Sequence, residues 1–220
     1  MNQIERHSRL CKRNDRIWKN VLKSWVIVGT MAFFVGVAAG VAIAGHTQAA
    51  DEALLVKREE AAAPIWQPAA EAKFVAIRQE TVPMSAEFQK YIHDVSAEYD
   101  LEFPLVLAVI WQESRFDAGA VSVSGDVGLM QINPINHARL SAALGITDFS
   151  DPYQNVRAGV YMLHELYCHY GDMNRVLMAY HMGEGAASSL WAQGIYETGY
   201  TRSVLRHERE IRAVWDAVPV

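Results

Sequence analysis

The run from Trp25 to Gly45 contains no charged side chain, and it constrains the topology of the whole chain. Its 21 residues would reach about 30 Å as an α-helix, which matches the hydrocarbon thickness of a bilayer. Residues 1–24 contain seven Lys or Arg against two acidic residues, and such an excess keeps a flanking segment in the cytoplasm. We therefore predict a basic cytoplasmic arm (1–24), one transmembrane anchor (25–45) with the N-terminus inside, and an extracytoplasmic remainder.

A cleaved signal peptide is the alternative to an anchor, because Ala42-Ile43-Ala44 resembles a small-residue cleavage site. The apolar run is longer than the usual core of a signal peptide and the basic arm is long, so the uncleaved anchor is favoured. Residues 46–83 are rich in Ala, Glu and Pro and lack a sustained apolar period. We predict a flexible linker there, averaging roughly 30–40 Å end to end, which lifts the following domain off the cytoplasmic membrane into the periplasm or cell wall.

Charge and metal-ligand patterns argue against two classes of function. The first 45 residues carry a net charge of +5 and the whole chain −5, so the remainder carries −10. An acidic body argues against nucleic acid as the partner. His164 and Cys168 stand one helical turn apart, but this pair lacks the further ligands of a tetrahedral site. Neither a metal nor another cofactor is predicted.

Residues 84–220 carry the periodicity of helices, and no segment among them predicts a strand. Ser85 suits an N-cap, prolines suit the first turn of several helices, and Gly171 suits a helix end. We predict an all-α domain whose helices follow Met84 and then cover Leu105–Arg115, Pro134 to about Leu144, Pro152 to about Tyr170, Asp172 or Asn174 to Tyr180, a short segment after Gly185, and Tyr200–Val214.

One carboxylate, Glu113, ends the most apolar of these helices. The residues before it, Leu105–Trp111, are apolar nearly all round, so this helix is expected at the centre and Glu113 where the core meets a cleft. Burial disfavours an ionised carboxylate and raises its pKa. A glutamic acid protonated near neutral pH can give its proton to a glycosidic oxygen. The alternative is a surface glutamate, paired with Arg115 or left in water.

Several short blocks accompany Glu113 in a fixed order. They are Glu113-Ser114-Arg115-Phe116, Ser122, Gly128-Leu129-Met130-Gln131, Asn155-Val156-Arg157-Ala158-Gly159, Ala179-Tyr180-His181-Met182-Gly183 and Tyr200. This series resembles the lysozyme-like lytic transglycosylases, whose catalytic unit is the transglycosylase SLT domain. The resemblance covers roughly Met84 to Leu205 and implies the lysozyme-like fold.

The resemblance implies an activity on peptidoglycan glycan strands. Such enzymes cleave the β-1,4 bond between N-acetylmuramic acid and N-acetylglucosamine and leave a 1,6-anhydro end. Glu113 would act first as general acid and then as general base, which fits the lack of a second acid beside it, since most glycosidases need two. A muramidase that hydrolyses the same bond, and a catalytically idle wall-binding or assembly module, stay open as alternatives. Such enzymes also serve secretion, conjugation or sporulation machines, so an envelope complex is a further candidate partner.

The resemblance also implies substrate contacts for seven residues around Glu113. Gln131 would bind an acetamido group, and Tyr200 would donate a hydrogen bond to Glu113. The others would contact the sugar or line the cleft: Ser114, Ser122, Met130, Tyr180 and His181. Structural explanations stay open beside these roles, namely backbone hydrogen bonding for Ser114, turn formation for Ser122 and core packing for Met130 and the tyrosines.

Two positions depart from the family pattern. His181 stands where an asparagine is usual, which predicts a binding step that depends on pH because an imidazole charges near pH 6.5. Asp126 stands where a small residue is usual. Ordering of its own loop is the first interpretation, and a solvated charge or a second carboxylate that favours hydrolysis are the others. The nearby Asp117 is expected to order its loop.

Overall fold

The computed structural model describes Phe74 and residues 82–217. These residues belong to one compact unit, whereas a second unit, Arg13–Pro68, lies outside the described residues. The basic arm, the predicted anchor and all of the predicted linker except Phe74, Val82 and Pro83 therefore lie outside them as well. No helix among the described residues is both long and apolar enough to cross a bilayer.

The described part of the chain is helical, as predicted. Between its helices, β-structure is limited to two isolated bridges, Val121 with Val127 and Val127 with Ile132. The helices are α1 (Ala86–Glu98), α2 (Phe103–Ser114), α3 (His137–Leu144), α4 (Pro152–Tyr170), α5 (Met173–Trp191) and α6 (Gly199–Ala217), with one turn of 3₁₀-helix (Pro134–Asn136) before α3.

Side-chain caps fix where three of the helices begin. Ser85 accepts a hydrogen bond from the Phe88 amide at 3.2 Å at the start of α1. Asp151 and Asp172 do the same for α4 and α5, at 2.8 and 3.0 Å. Each cap satisfies an amide that the first helical turn leaves without a partner. The predicted helix starts at these positions are confirmed.

The glycine-rich interruption predicted after Met182 is a kink inside α5. Gly183 has φ 78° and ψ 153°, which is not helical, yet the helix resumes and continues to Trp191. Only glycine adopts this backbone conformation without steric cost. The kink turns the residues before and after Gly183 toward the groove described below.

The core is built around α2. Every residue from Phe103 to Ile110 is buried, so this helix is enclosed on all sides, as its apolar sequence predicts. It packs mainly against α6 and also against α1, while α4 packs against α5 and α1. Each large apolar side chain buried here stabilises the fold by about 1.5–3 kcal/mol, which fixes α2 firmly up to its last turn.

Phe74 extends the core beyond the boundary predicted at Met84. It is 2% exposed, and its ring lies 5.8 Å from that of Phe103 and 5.2 Å from that of Trp215. The core therefore includes a residue of the segment predicted as linker. A single phenylalanine without periodic apolar neighbours gives no helix signal, which explains why the sequence pattern did not indicate it.

Candidate active site

Glu113 lies in the last turn of α2. The helix ends there because Arg115 and Phe116 both adopt left-handed backbone conformations, with φ of 56° and 67°. Arg115 does not pair with Glu113; its guanidinium lies over the Trp111 ring, 3.2 Å from the centroid. The turn leads the chain away from α2 and leaves the Glu113 carboxyl at the edge of the core, where it faces a groove.

The groove has a volume of about 1050 Å³. Its walls come from the loop after α2, from α3 and α4, and from the segment of α5 around the kink. Besides Glu113, the lining residues are Ser122, Ser124, Asp126, Gln131, Asn133, Ile135, Asn136, Arg139, Met162, Glu165, Leu166, His169, Ala179, Tyr180, His181, Met182, Gly183 and Glu184. This volume lies at the upper end of the range for small-molecule pockets, about 300–1,000 Å³, so the groove has room for a large ligand.

Burial raises the pKa of Glu113 from 4.5 to about 7. Two neighbours act in opposite directions: the hydrogen bond from Tyr200 lowers the pKa, and the negative charge of Asp126 raises it. Desolvation is the largest cause and decides the sign. Near neutral pH, Glu113 therefore exists in comparable amounts as acid and carboxylate, which suits a group that first gives and later takes a proton.

Tyr200 holds the Glu113 carboxyl from the first turn of α6. Its hydroxyl donates to Glu113 Oε1 at 2.5 Å, so the expected hydrogen bond is present. Burial and the charge of Glu113 raise the pKa of Tyr200 well above 10, which keeps the phenol protonated as a donor. The His181 ring stacks on the Tyr200 ring, with centroids 4.0 Å apart and planes inclined by 12°.

Asn155 ties the loop after α2 to α4. It is fully buried, accepts a hydrogen bond from the Met130 amide at 2.8 Å, and donates to the carbonyls of Val127 at 2.9 Å and Phe149 at 2.8 Å. Gly128 makes this approach possible, because a Cβ there would lie 2.4 Å from Asn155 Nδ2. The loop that forms one wall of the groove is therefore fixed from inside the protein.

Gln131 lines the groove with its amide already oriented. Its Nε2 donates to the carbonyls of Gly128 at 2.8 Å and Ala120 at 3.2 Å. Its Oε1 has no hydrogen-bond partner among the described residues, so an acceptor is available to a ligand. The backbone of Gln131 is left-handed, with φ 47°, which the short turn from Gly128 requires.

Asp126 is held by hydrogen bonds within its own loop. Its carboxylate accepts from Ser122 and Ser124, both at 2.8 Å, and from Asn133 at 2.5 Å. Partial burial raises the pKa of Asp126, but these three donors outweigh it and lower the pKa below its usual value. Asp126 therefore stays ionised, and its hydrogen bonds favour the interpretation that this carboxylate orders its own loop. Ser122 belongs to the same network and lines the groove.

Comparison with known proteins agrees with this geometry. A family model of the transglycosylase SLT domain matches residues 90–194. This match assigns residues 90–194 to the transglycosylase SLT domain family.

Curated relatives of this SLT domain are longer proteins. A transglycosylase of Enterobacteria phage PRD1 is 39% identical over 93 residues, which cover 42% of this chain and 34% of the phage protein. The membrane-bound lytic murein transglycosylase F of Desulfosudis oleivorans is 33% identical over 105 residues, covering 44% of this chain and 22% of that protein. The chain thus spans about a third or less of the length of these relatives.

Solved structures show the same fold. An inactive mutant of the lytic transglycosylase Slt from Pseudomonas aeruginosa aligns with a TM-score of 0.53 at 20% identity, covering 66% of this chain and 28% of that one. The 70 kDa soluble lytic transglycosylase from Escherichia coli aligns with a TM-score of 0.50 at 22% identity, covering 56% of this chain and 24% of that one. Both alignments support the lysozyme-like fold.

Three residues predicted to contact substrate are not among those that line the groove: Tyr200, whose contact with Glu113 is described above, Ser114 and Met130. The Ser114 hydroxyl is buried, 3.1 Å from the Ile110 carbonyl and 2.9 Å from that of Leu129. Met130 is fully buried and packs on Gly159, where a Cβ would lie 2.4 Å from its Sδ. For both, the geometry favours the structural explanation, backbone hydrogen bonding for Ser114 and core packing for Met130.

Tyr180 and His181 face the groove, and the His181 ring stacks on that of Tyr200. Tyr180 lines the groove, and its hydroxyl donates to the Met130 carbonyl at 2.8 Å. It therefore supports the loop wall as well as facing the groove. His181 also lines the groove, and burial lowers its pKa from the usual 6.5 and so favours the neutral ring.

Sequence reasoning missed two parts of the SLT site. The role of Asn155 depends on contacts 25 and 28 residues away along the chain, and a lone asparagine in a helix carries no local sign of them. The wall formed by Arg139, Glu165 and His169 was missed as well. The helical periodicity of α3 and α4 identifies their buried faces, but it does not tell which polar residues face a groove.

Proposed function

We propose that this chain is a membrane-anchored peptidoglycan lytic transglycosylase that cleaves the β-1,4 bond between N-acetylmuramic acid and N-acetylglucosamine and leaves a 1,6-anhydro end. The observation that carries the proposal is Glu113: a carboxyl buried at the edge of the groove, with a pKa of about 7. The match of residues 90–194 to the transglycosylase SLT domain supports the choice of substrate.

The first step needs a proton. In its acid form Glu113 protonates the oxygen of the leaving sugar, and the bond from that oxygen to the anomeric carbon breaks. The 2-acetamido group of the muramic acid stabilises the resulting positive charge on the anomeric carbon. Gln131 Oε1, which has no hydrogen-bond partner among the described residues, accepts a hydrogen bond from an acetamido N–H and so orients the sugar.

The second step needs a base. Glu113, now a carboxylate, takes the proton from the 6-hydroxyl of the same muramic acid, and the 6-oxygen bonds to the anomeric carbon to close the anhydro ring. Tyr200 stabilises the carboxylate between the two steps because its hydroxyl donates to Oε1. The buried site makes Glu113 a good acid, and the hydrogen bond limits the energetic cost of its ionised form.

Hydrolysis by a muramidase is the second candidate, because Asp126 is another carboxylate in the same groove. In that reaction Asp126 would support the attack of water. Three side-chain donors already occupy its oxygens, so the transglycosylase remains the preferred proposal.

Mass spectrometry of the products from purified sacculi tests the proposal. We expect anhydro-muropeptides from the wild-type chain and none above background from Glu113→Gln. Reducing ends would identify a muramidase. Equal release by both forms would refute the role of Glu113, and no release by either would favour an idle wall-binding or assembly module.

The proposal places the domain outside the cytoplasmic membrane, held by a single anchor at 25–45. The uncharged run and the basic arm before it support this topology. Labelling of spheroplasts with a cysteine-reactive, membrane-impermeant reagent tests this topology, in a chain from which Cys11 and Cys168 have been removed. The reagent should reach a cysteine introduced at the exposed Val123. It should reach a cysteine introduced at position 2 only after the membrane is permeabilised. Local opening of the wall beside a secretion, conjugation or sporulation complex is a role that suits a tethered domain.

A further inference from the structure

The wall of the groove formed by α3 and α4 carries a charged pair that the catalytic steps do not use. Arg139 on α3 forms an ion pair through Nη1 with Oε2 of Glu165 on α4. Arg139 is the only Lys or Arg among the described residues that line the groove. The charges that act on the pKa of Glu113 include Asp126 but neither Arg139 nor Glu165.

The pair is exposed enough to meet a ligand and contributes little to the fold. The side chains of Arg139 and Glu165 are 40% and 22% exposed, and exposed ion pairs typically stabilise a protein by about 0–1 kcal/mol. A guanidinium carries five N–H donors, and in Arg139 only the Nη1 nitrogen donates to Glu165. Donors thus remain for an incoming acceptor, while Glu165 limits the orientations that the guanidinium can adopt.

Apolar side chains lie beside the pair, together with the polar Asn136 and His169. Ile135 is 85% exposed at the groove, and Met162 and Leu166 flank Glu165 on the lining face of α4. A cation with apolar neighbours matches a ligand that combines a carboxylate with methyl groups. A sugar ring edged with hydroxyls matches it less well, because it offers no negative charge.

One part of a peptidoglycan strand has this chemistry. The sugars are neutral, whereas every second sugar carries a branch: a lactyl ether with its methyl group, extended by a peptide of alanines and acidic residues. A planar guanidinium binds a carboxylate through two parallel hydrogen bonds.

We propose that Arg139, oriented by Glu165, recognises a carboxylate of the branch on muramic acid and so determines which strands the groove accepts. This inference rests on the proposed function. The carboxylate has two sources, the stem peptide or the lactyl group itself after the peptide has been removed.

Three soluble substrates of matched length separate these sources. They are glycan strands with peptides, strands freed of peptides by an amidase, which expose the lactyl carboxylate, and the latter strands after conversion of that carboxylate to a methylamide. On strands with the recognised carboxylate, we expect Arg139→Gln to raise KM about tenfold or more with kcat little changed, because a hydrogen bond to a charged group is lost. On the neutral strands the variant should match the wild type.

The pattern across the substrates identifies the source, and two patterns overturn the proposal. A loss confined to peptide-bearing strands assigns the stem peptide, and a loss that appears with the free lactyl carboxylate assigns the lactyl group. An equal loss on all three substrates, or no loss on either charged one, would rule out carboxylate recognition. Arg139→Lys keeps the charge without the planar pair of donors and should restore part of the affinity.

Arg157→Gln is the matched control. Arg157 pairs with Glu98 on another helix at 2.8 Å, with side chains 36% and 45% exposed, and lies outside the groove. Its loss should leave KM unchanged on every substrate. If the wild-type chain cleaves no strand, the proposed function fails, but calorimetric binding of the strands to Glu113→Gln, with and without Arg139→Gln, still decides whether Arg139 recognises a carboxylate.

Discussion

Replacing Tyr200 with phenylalanine removes one oxygen atom and isolates the effect of a single hydrogen bond on the acid. The Tyr200 hydroxyl donates to Glu113 Oε1 at 2.5 Å and lowers the pKa of Glu113, against the larger effect of burial. Hydrogen bonds to charged groups contribute about 1.5–3 kcal/mol. Since one pKa unit corresponds to about 1.4 kcal/mol, Tyr200→Phe should raise the pKa of Glu113 by about one to two units.

The assay is the pH dependence of kcat/KM for release of soluble muropeptides. In the proposed mechanism the acid form of Glu113 starts the reaction, so wild-type activity should fall as the pH rises through about 7. In Tyr200→Phe this fall should move to higher pH by about one to two pH units. The maximum should also decrease, because the carboxylate that serves as base has lost its donor.

Tyr180→Phe provides the control, because the Tyr180 hydroxyl donates to the Met130 carbonyl and not to Glu113. Its pH profile should fall at the same pH as that of the wild type. If the fall in Tyr200→Phe stayed at the wild-type pH or moved to lower pH, the assignment of Glu113 as the titrating acid held by Tyr200 would be refuted.

Three further predictions concern the surroundings of Glu113. The pKa of Glu113 is raised in the fold from 4.5 to about 7, so the wild type loses stability as the pH rises between these two values. Glu113→Gln, which cannot ionise, should therefore be more stable than the wild type at pH 8 by up to about 3 kcal/mol. The two proteins should be equally stable near pH 4, and urea unfolding measures both differences. Gly159→Ala places a Cβ 2.4 Å from Met130 Sδ and 2.7 Å from Met130 Cβ and should destabilise by about 1–3 kcal/mol. In a Met130→Gly background, which lacks both atoms, the same change should cost clearly less, and equal costs in both backgrounds would disprove the close contact. His181 stacks on Tyr200, and its pKa lies below 6.5. Its protonation at acidic pH should therefore weaken substrate binding and raise KM, and His181→Asn should abolish that rise. Identical turnover by the wild type and His181→Asn from pH 5 to 8 would contradict this prediction.

Much of the fold was predictable because it depends on local chemistry. Prolines and side-chain caps mark helix starts irrespective of distant contacts, and Ser85, Asp151 and Asp172 act as caps. The apolar circumference of α2 required a central position, and this in turn put Glu113 at the margin of the core. Its raised pKa follows from that position.

The rest depends on contacts between distant residues, which a single sequence does not encode visibly. Ser114 and Met130 share a motif with groove residues, yet their side chains turn inward to the Leu129 carbonyl and to Gly159. The direction of each side chain is set by the turn at Gly128 and by Asn155. The kink at Gly183 likewise looked like a helix break, because a glycine in this backbone conformation ends a helix unless packing on both sides lets it resume.

The position of Phe74 has a mechanical consequence. Phe74 packs against Phe103 in the first turn of α2 and against Trp215 near the end of α6, while Glu113 and Tyr200 occupy the opposite ends of the same two helices. Ten residues of helix separate Phe103 from Glu113, or about 15 Å. A pull on the chain at Phe74 would therefore act on an aromatic cluster in the core, and the two helices would bear the load without displacing the acid from its hydrogen-bond donor.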